Sequence, residues 1–351
     1  MEPSVAKQKQ IQKTFKQLFF NVLIFTLLIG LTFFFVFKDQ DIGEAIAVFN
    51  NAKFGYVITG IFLMLLYFSM EAWNIYSLLR AFGEKLSFFQ ALKFTFIGFF
   101  FCSVTPGASG GQPLEIYYMT KEKISGAHAT MALLIQICGV QVAVLALGIF
   151  GLLINIGKLE SSVISLGIIG LIINGVALAI LLIGVFSKRL TKKIVEFGLS
   201  VIKFFGYKKI EQKRESINNS LEQYSNSAKF IKTHKKQFAL CILRSVLQMI
   251  IYFLIPFFVY KALGLKGTSI FEIFFLQAVL FMATSGLPLP GAVGASEAVF
   301  LSIYGVIFGE DFLGGAVLLN RSISFYWFVL VSMMVVFMNI IRLRASKKIA
   351  K

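Results

Sequence analysis

The sequence predicts an all-α polytopic membrane protein with six long transmembrane helices and two re-entrant Pro-Gly hairpins, eight hydrophobic segments arranged as two inverted repeats. Three observations carry this expectation. The 351 residues are 57% hydrophobic, include 40 phenylalanines and have a mean hydropathy of +0.80, well above the composition of a soluble domain. The apolar stretches run unbroken for about 20 residues, which suits membrane helices, whereas barrel strands alternate over about ten. Finally, Pro106-Gly107-Ala108-Ser109-Gly110 recurs as Pro290-Gly291-Ala292-Val293-Gly294, 184 residues later.

Long spans are expected at residues 18–37, 54–79, 127–156, 163–186, 238–260 and 316–341. Two further apolar stretches, 88–104 and 270–287, each run into a Pro-Gly cluster and are followed by only a short apolar piece before charges return. Charge sets the topology, because Lys and Arg accumulate on cytoplasmic loops. Lys7, Lys9, Lys13 and Lys16 precede the first span, and Asp39, Asp41 and Glu44 follow it. Segment 187–236 holds thirteen Lys or Arg against four Glu, and the tail carries Arg342, Arg344, Lys347, Lys348 and Lys351. All three basic regions sit on one side if each Pro-Gly stretch enters and leaves the membrane on the same face. Eight full crossings would also satisfy them, with the short pieces counted as spans.

On the hairpin reading, residues 1–158 form the first repeat, with a cytoplasm-facing hairpin at about 88–126. Residues 159–186 open the second, and 237–351 complete it, with an outward-facing hairpin at about 270–309. Three crossings per half turn the second half upside down, the architecture of secondary transporters. Segment 187–236 places Leu190, Ile194, Phe197, Val201 and Phe204 on one face with lysines opposite. That pattern suits an amphipathic helix on an anionic leaflet, and equally a solvated linker.

Non-helical backbone survives at membrane depth only when buried in protein or lining a wet cavity. The clusters therefore nominate Pro106, Gly107, Gly110 and Gly111 with Glu115, and Pro290, Gly291 and Gly294 with Glu297, as a path for a lipid headgroup. Free amides and helix starts there suit a phosphate, and the carboxylates suit a cationic headgroup or proton coupling. Glu71, Arg244 and Arg321 fall inside spans and need internal partners, or for the arginines a reach to the interface. Arg80, Lys121 and Lys123 read as topology residues, with an entry for anionic headgroups as the alternative. The three cysteines lie in apolar stretches without metal spacing, His128 and His234 have no partner at i+4, and there is no P-loop. No metal or other cofactor is expected, and the net charge of +17 reports lipid rather than nucleic acid.

At these clusters, "PGASGGQPLE" and "PGAVGASEA", the sequence resembles the flippase-like integral membrane family that includes the transmembrane half of lysylphosphatidylglycerol synthases, the multiple-peptide-resistance proteins. Ala108 and Ala292 stand where that family often has a second glycine. The resemblance implies movement of anionic or aminoacylated phospholipid, or of an isoprenoid lipid carrier, across the cytoplasmic membrane, with both termini cytoplasmic. It also implies two alternatives. One is lysyl transfer from Lys-tRNA to phosphatidylglycerol, for which a chain ending at Lys351 is expected to lack the C-terminal acyltransferase domain. The other is an accessory role beside a lipid-modifying enzyme. A homo-oligomer is compatible with any of them.

Overall fold

The computed structural model describes residues 42–157, 159–186, 235–287 and 289–349. The span expected at 18–37 and the amphipathic segment between 187 and 234 lie outside the described residues. Among the described residues the chain is helical, without a strand. The first run comprises α1 (Ile42–Asn50), α2 (Phe54–Ala81), α3 (Phe88–Val104), α4 (Gly111–Lys121), α5 (Gly126–Asn155) and α6 (Ser161–Phe186). The second comprises α7 (Lys235–Phe253), α8 (Ile255–Ala262), α9 (Ile270–Thr284), α10 (Ala295–Phe308), α11 (Glu310–Arg321) and α12 (Trp327–Ile349).

Five stretches of the described residues are long and apolar enough to cross a membrane: Phe54–Ala81, Gly126–Asn155, Ser161–Ile183, Lys235–Ala262 and Glu310–Leu343. Two differ from the sequence expectation. The span expected from 238 begins at Lys235 and breaks at Leu254, because Pro256 lacks an amide hydrogen and its ring displaces the carbonyl four residues back. The last span begins at Glu310, six residues early, and contains a π turn at Ser322–Tyr326. Hydropathy missed that first turn because its two acids fall on a helix start, where carboxylates are favoured by the helix dipole. Helix α1, which lies outside the expected spans, packs on α11.

Local chemistry explains the two short arms. Ser87 caps α3, its hydroxyl accepting from Gln90 N–H at 3.2 Å while Gln90 Oε1 accepts from Ser87 N–H at 2.8 Å, a reciprocal capping box. The helix stops at Thr105, whose backbone is extended (φ −116°, ψ 142°), as the residue before a proline must be. A 3₁₀ turn, Pro106–Ala108, then leads into α4; in the second run Pro290–Ala292 leads into α10. These turns, the helices after them (Gly111 and Ala295) and the next helices (Gly126 and Glu310) all start 184 residues apart. The preceding arms, from Phe88 and Ile270, are 182 apart.

Small residues let the long helices close. A Cβ built on Gly139 of α5 would lie 2.5 Å from Ser245 Oγ of α7, and one on Gly151 would lie 2.5 Å from Phe275 O of α9. On Gly170 of α6 it would lie 2.2 Å from Met282 O. Asn174, one turn further along α6, donates to that same carbonyl at 3.1 Å. Close backbone approach through glycine, with amide side chains bridging helices, is how helices associate where lipid supplies no hydrophobic drive. Gly170→Ala should therefore push α6 off α9 and cost about 1–3 kcal/mol, seen as a lower thermal unfolding midpoint in detergent. Gly175→Ala, where a Cβ would meet nothing within 4 Å, should leave the midpoint unchanged or raise it by up to about 1 kcal/mol through helix propensity.

Candidate functional site

The two Pro-Gly turns touch each other, and α3 touches both. Their backbones match: Gly107 has φ 58°, ψ 27° and Gly291 has φ 58°, ψ 15°. The next residues, Ala108 (φ 55°) and Ala292 (φ 52°), are also left-handed. An L residue pays about 1–2 kcal/mol there, so both alanines are held by their surroundings. Each donates its amide back across its turn, Ala108 to Thr105 O and Ala292 to Leu289 O, both at 3.1 Å. Gly110 N–H is satisfied by Thr105 Oγ1 at 2.9 Å. Glycine is also required for space: a Cβ on Gly291 would come 2.5 Å from the Phe325 ring, and one on Gly111 would come 2.1 Å from Cys102 Sγ.

The second turn is clamped by a buried ion pair. Glu297 is 1% exposed and Arg321 is 8% exposed. Glu297 Oε1 accepts from Arg321 Nε. Its other oxygen, Oε2, accepts from Gly294 N–H at 2.7 Å and from the Ser296 hydroxyl at 3.1 Å. Arg321 also donates from Nη2 to Gly291 O at 3.2 Å, and its guanidinium lies 4.7 Å from the centre of the Phe325 ring. One arginine thus ties the end of α11 to the turn and to the start of α10. The π turn begins one residue later, and such widened turns recur at functional sites. Beside the pair is a cavity of about 20 Å³ lined by Tyr252, Gln277, Ser296, Asn320 and Ser324, which is water-sized.

The first hairpin is built differently. Glu115 is 3% exposed, lies against Gly98 of α3, and its Oε1 has no hydrogen-bond partner among the described residues. Glu71 of α2 is within electrostatic reach of it and accepts from Gln248 Nε2 at 2.9 Å. Gln248 is fully buried and its own Oε1 is unpartnered. The Tyr67 ring, near Glu71, lies 5.4 Å from that of Tyr252, and Tyr252 is near Arg321 and Ser324. Polar side chains therefore run from one hairpin to the other.

Of the residues nominated from sequence, Gly291, Gly294, Glu297 and Arg321 come together directly. Pro106, Gly107 and Pro290 belong to the touching turns, with Gly110 and Gly111 beginning the arm behind the first. Glu71 and Glu115 form a second group. Arg244 joins neither: it donates to Ser77 Oγ at 2.7 Å and lies 5.1 Å over Trp73. Glu115 and Glu297 are not equivalent, since the 184-residue offset pairs Glu297 with Pro113 and Glu115 with Val299. The sequence does not single out Asn74 and Gln248. The spacing of Cys241, Ser245 and Gln248, four and then three residues, would have shown a polar stripe on one face of α7.

Buried charges at the meeting of two broken helices, in a chain that turns Phe62, Ile172 and Met338 outward, define a multi-pass helical membrane protein with a polar interior. The chain belongs to the family described as the lysylphosphatidylglycerol synthase TM region, whose family model matches residues 19–332. It is also similar to a UPF0104 membrane protein of Archaeoglobus fulgidus, 22% identical over 306 residues that cover 83% of this chain and 88% of that protein.

Removing one partner of a buried ion pair strands the other charge, which costs about 3–5 kcal/mol. Glu297→Gln and Arg321→Met should each lower the unfolding midpoint strongly. The double variant should be less damaged than the sum of the two, by about 0.5–3 kcal/mol of coupling, in a thermal-unfolding double-mutant cycle.

Proposed function

We propose that this protein moves the polar headgroup of a phospholipid, anionic or aminoacylated, across the cytoplasmic membrane through the junction of its two Pro-Gly turns. The observation that carries this reading is the contact between those turns, with Glu71, Glu115, Glu297 and Arg321 gathered around it. A soluble-protein core has no use for such a concentration of buried charge, and in hydrocarbon it is costlier still. A headgroup crossing the membrane faces the same cost, and groups that replace its hydration lower it. The start of α4 suits a phosphate, whereas that of α10 is capped by its own Glu297. Glu71 and Glu115, which have no cationic partner among the described residues, suit an ammonium. Acyl chains stay in lipid.

The matched starts and backbone angles of the two runs support an inverted repeat, residues 1–158 against 159–351, with the basic 187–236 segment on the cytoplasmic side together with both termini. In that arrangement each hairpin opens to one leaflet and the headgroup passes between them, as in other inverted-repeat transporters. A lipid-modifying enzyme acting beside this chain would supply or consume the lipid. The family name supports a lipid as the moving group; the buried charges support a headgroup as the part that enters the protein.

The test is transbilayer movement of a fluorescent phosphatidylglycerol in vesicles containing the purified chain, read by quenching from outside. Wild-type protein should exceed protein-free vesicles. Glu115→Gln keeps the shape and removes a titratable carboxyl that has no cationic partner among the described residues, so it should lower the rate at least about tenfold, or 1.4 kcal/mol, with no loss of folded protein. An unchanged rate removes Glu115 from the path, and no movement by wild type removes the proposal.

A further inference from the structure

A second lipid-facing feature lies at the basic end of the molecule, where α3 starts and α12 finishes. There α3 and α12 pack together and leave an open groove of about 410 Å³ between them, within the range of small-molecule sites. On the α3 side it is lined by Phe89, Lys93 and Phe96, and on the α12 side by Met338, Asn339 and Arg342. The helical spacing on each side stacks apolar and polar groups on one face. Phe89 and Met338 are 79% and 68% exposed, so the groove opens outward along aromatic and thioether walls.

Its polar groups are specific. Asn339 is 3% exposed, lines the groove, and neither its Nδ2 nor its Oδ1 has a hydrogen-bond partner among the described residues. A buried amide with both ends unsatisfied is unfavourable unless something that enters the groove meets it. Lys93 gives a hydrogen bond to Glu122, which leaves two of its three ammonium donors, and Arg342 is exposed at the rim. The surrounding end of the molecule is positive. Arg80 closes α2, Lys121 closes α4, and Lys85 and Lys123 lie in the loops beside them. The carboxylates there are engaged: Glu84 accepts from Ser125 N–H and contacts His128, and Glu122 holds Lys93 and Gln90.

Apolar walls, a cationic rim and one buried unsatisfied amide match an amphiphile that carries an anionic head on an apolar tail. We infer that the groove is a binding site for one anionic phospholipid, which lays a chain along Phe89, Phe96 and Met338, sets its phosphate at Arg342 and Lys93, and meets Asn339 with its ester oxygens. The site is separate from the junction of the turns. It rests on the membrane placement of the chain and not on translocation.

The purified full-length chain, equilibrated in detergent with equal amounts of phosphatidylglycerol and phosphatidylcholine, is examined by native mass spectrometry. One phosphatidylglycerol should be retained in preference to phosphatidylcholine. Arg342→Gln, a surface change that leaves the fold intact, and Asn339→Leu should each reduce that retention about tenfold, the loss of one good polar contact. Equal retention of the two lipids overturns the inference, as does unchanged retention in both variants. Displacement of the lipid by millimolar glycerol phosphate assigns the groove to a soluble phosphate and also overturns it. Retention is read at equilibrium, so a wild type that holds the lipid but moves none defeats the translocation proposal alone.

Discussion

Backbone that leaves the helix inside hydrocarbon has nowhere to place its amides and carbonyls except against other protein, and here the two breaks are placed against each other. Everything near them serves that contact. Thr105 supplies a hydroxyl to the Gly110 amide, Glu297 supplies a carboxylate to the Gly294 amide, and Arg321 supplies a donor to the Gly291 carbonyl. Gly98, Gly111 and Gly291 let neighbouring side chains come to distances that a methyl group would block. The alanines at 108 and 292 accept left-handed backbone because the turns are packed tightly enough to hold them there.

The charges around that contact divide by partner. Glu297 and Arg321 satisfy one another, and the carboxylate is further held by an amide and a hydroxyl. A pair of this kind adds little net stability and is better understood as fixing the register of the elements it joins, here α11, the turn and α10. Glu71 and Glu115 have an amide donor between them and no cation among the described residues. Groups left short of partners in a buried site are the ones available to a ligand. The two hairpins therefore share a backbone shape and differ in chemistry, one locked by its own ion pair and the other without an ion pair among the described residues.

Much of the architecture was legible in the chain. Continuous apolar runs mark the spans because a membrane helix needs only length and hydropathy, and Pro106 and Pro290 mark the breaks because proline cannot continue a helix. The repeated cluster marked the site for the same reason. Less legible were the helix ends. The acids at 310 and 311 looked like a loop but start α11, and the break at Leu254 lay inside a stretch that hydropathy read as whole. The partner of each buried charge was not legible, because Arg321 and Arg244 carry the same side chain at similar depths in their spans. Only the packing decides that one meets a carboxylate and the other a serine and an indole.

The sequence by itself determined that this is a helical multi-pass membrane protein, that its helices break at the two Pro-Gly clusters, and that a carboxylate follows each cluster, since composition, period and proline act locally along the chain. The tertiary structure alone decided that the two breaks meet, that Glu297 pairs with Arg321 while Glu115 has no cation among the described residues, and that Asn339 is buried beside a cationic groove. Those outcomes depend on which helix faces come together across gaps of up to 184 residues, and no local rule of hydropathy or propensity encodes them.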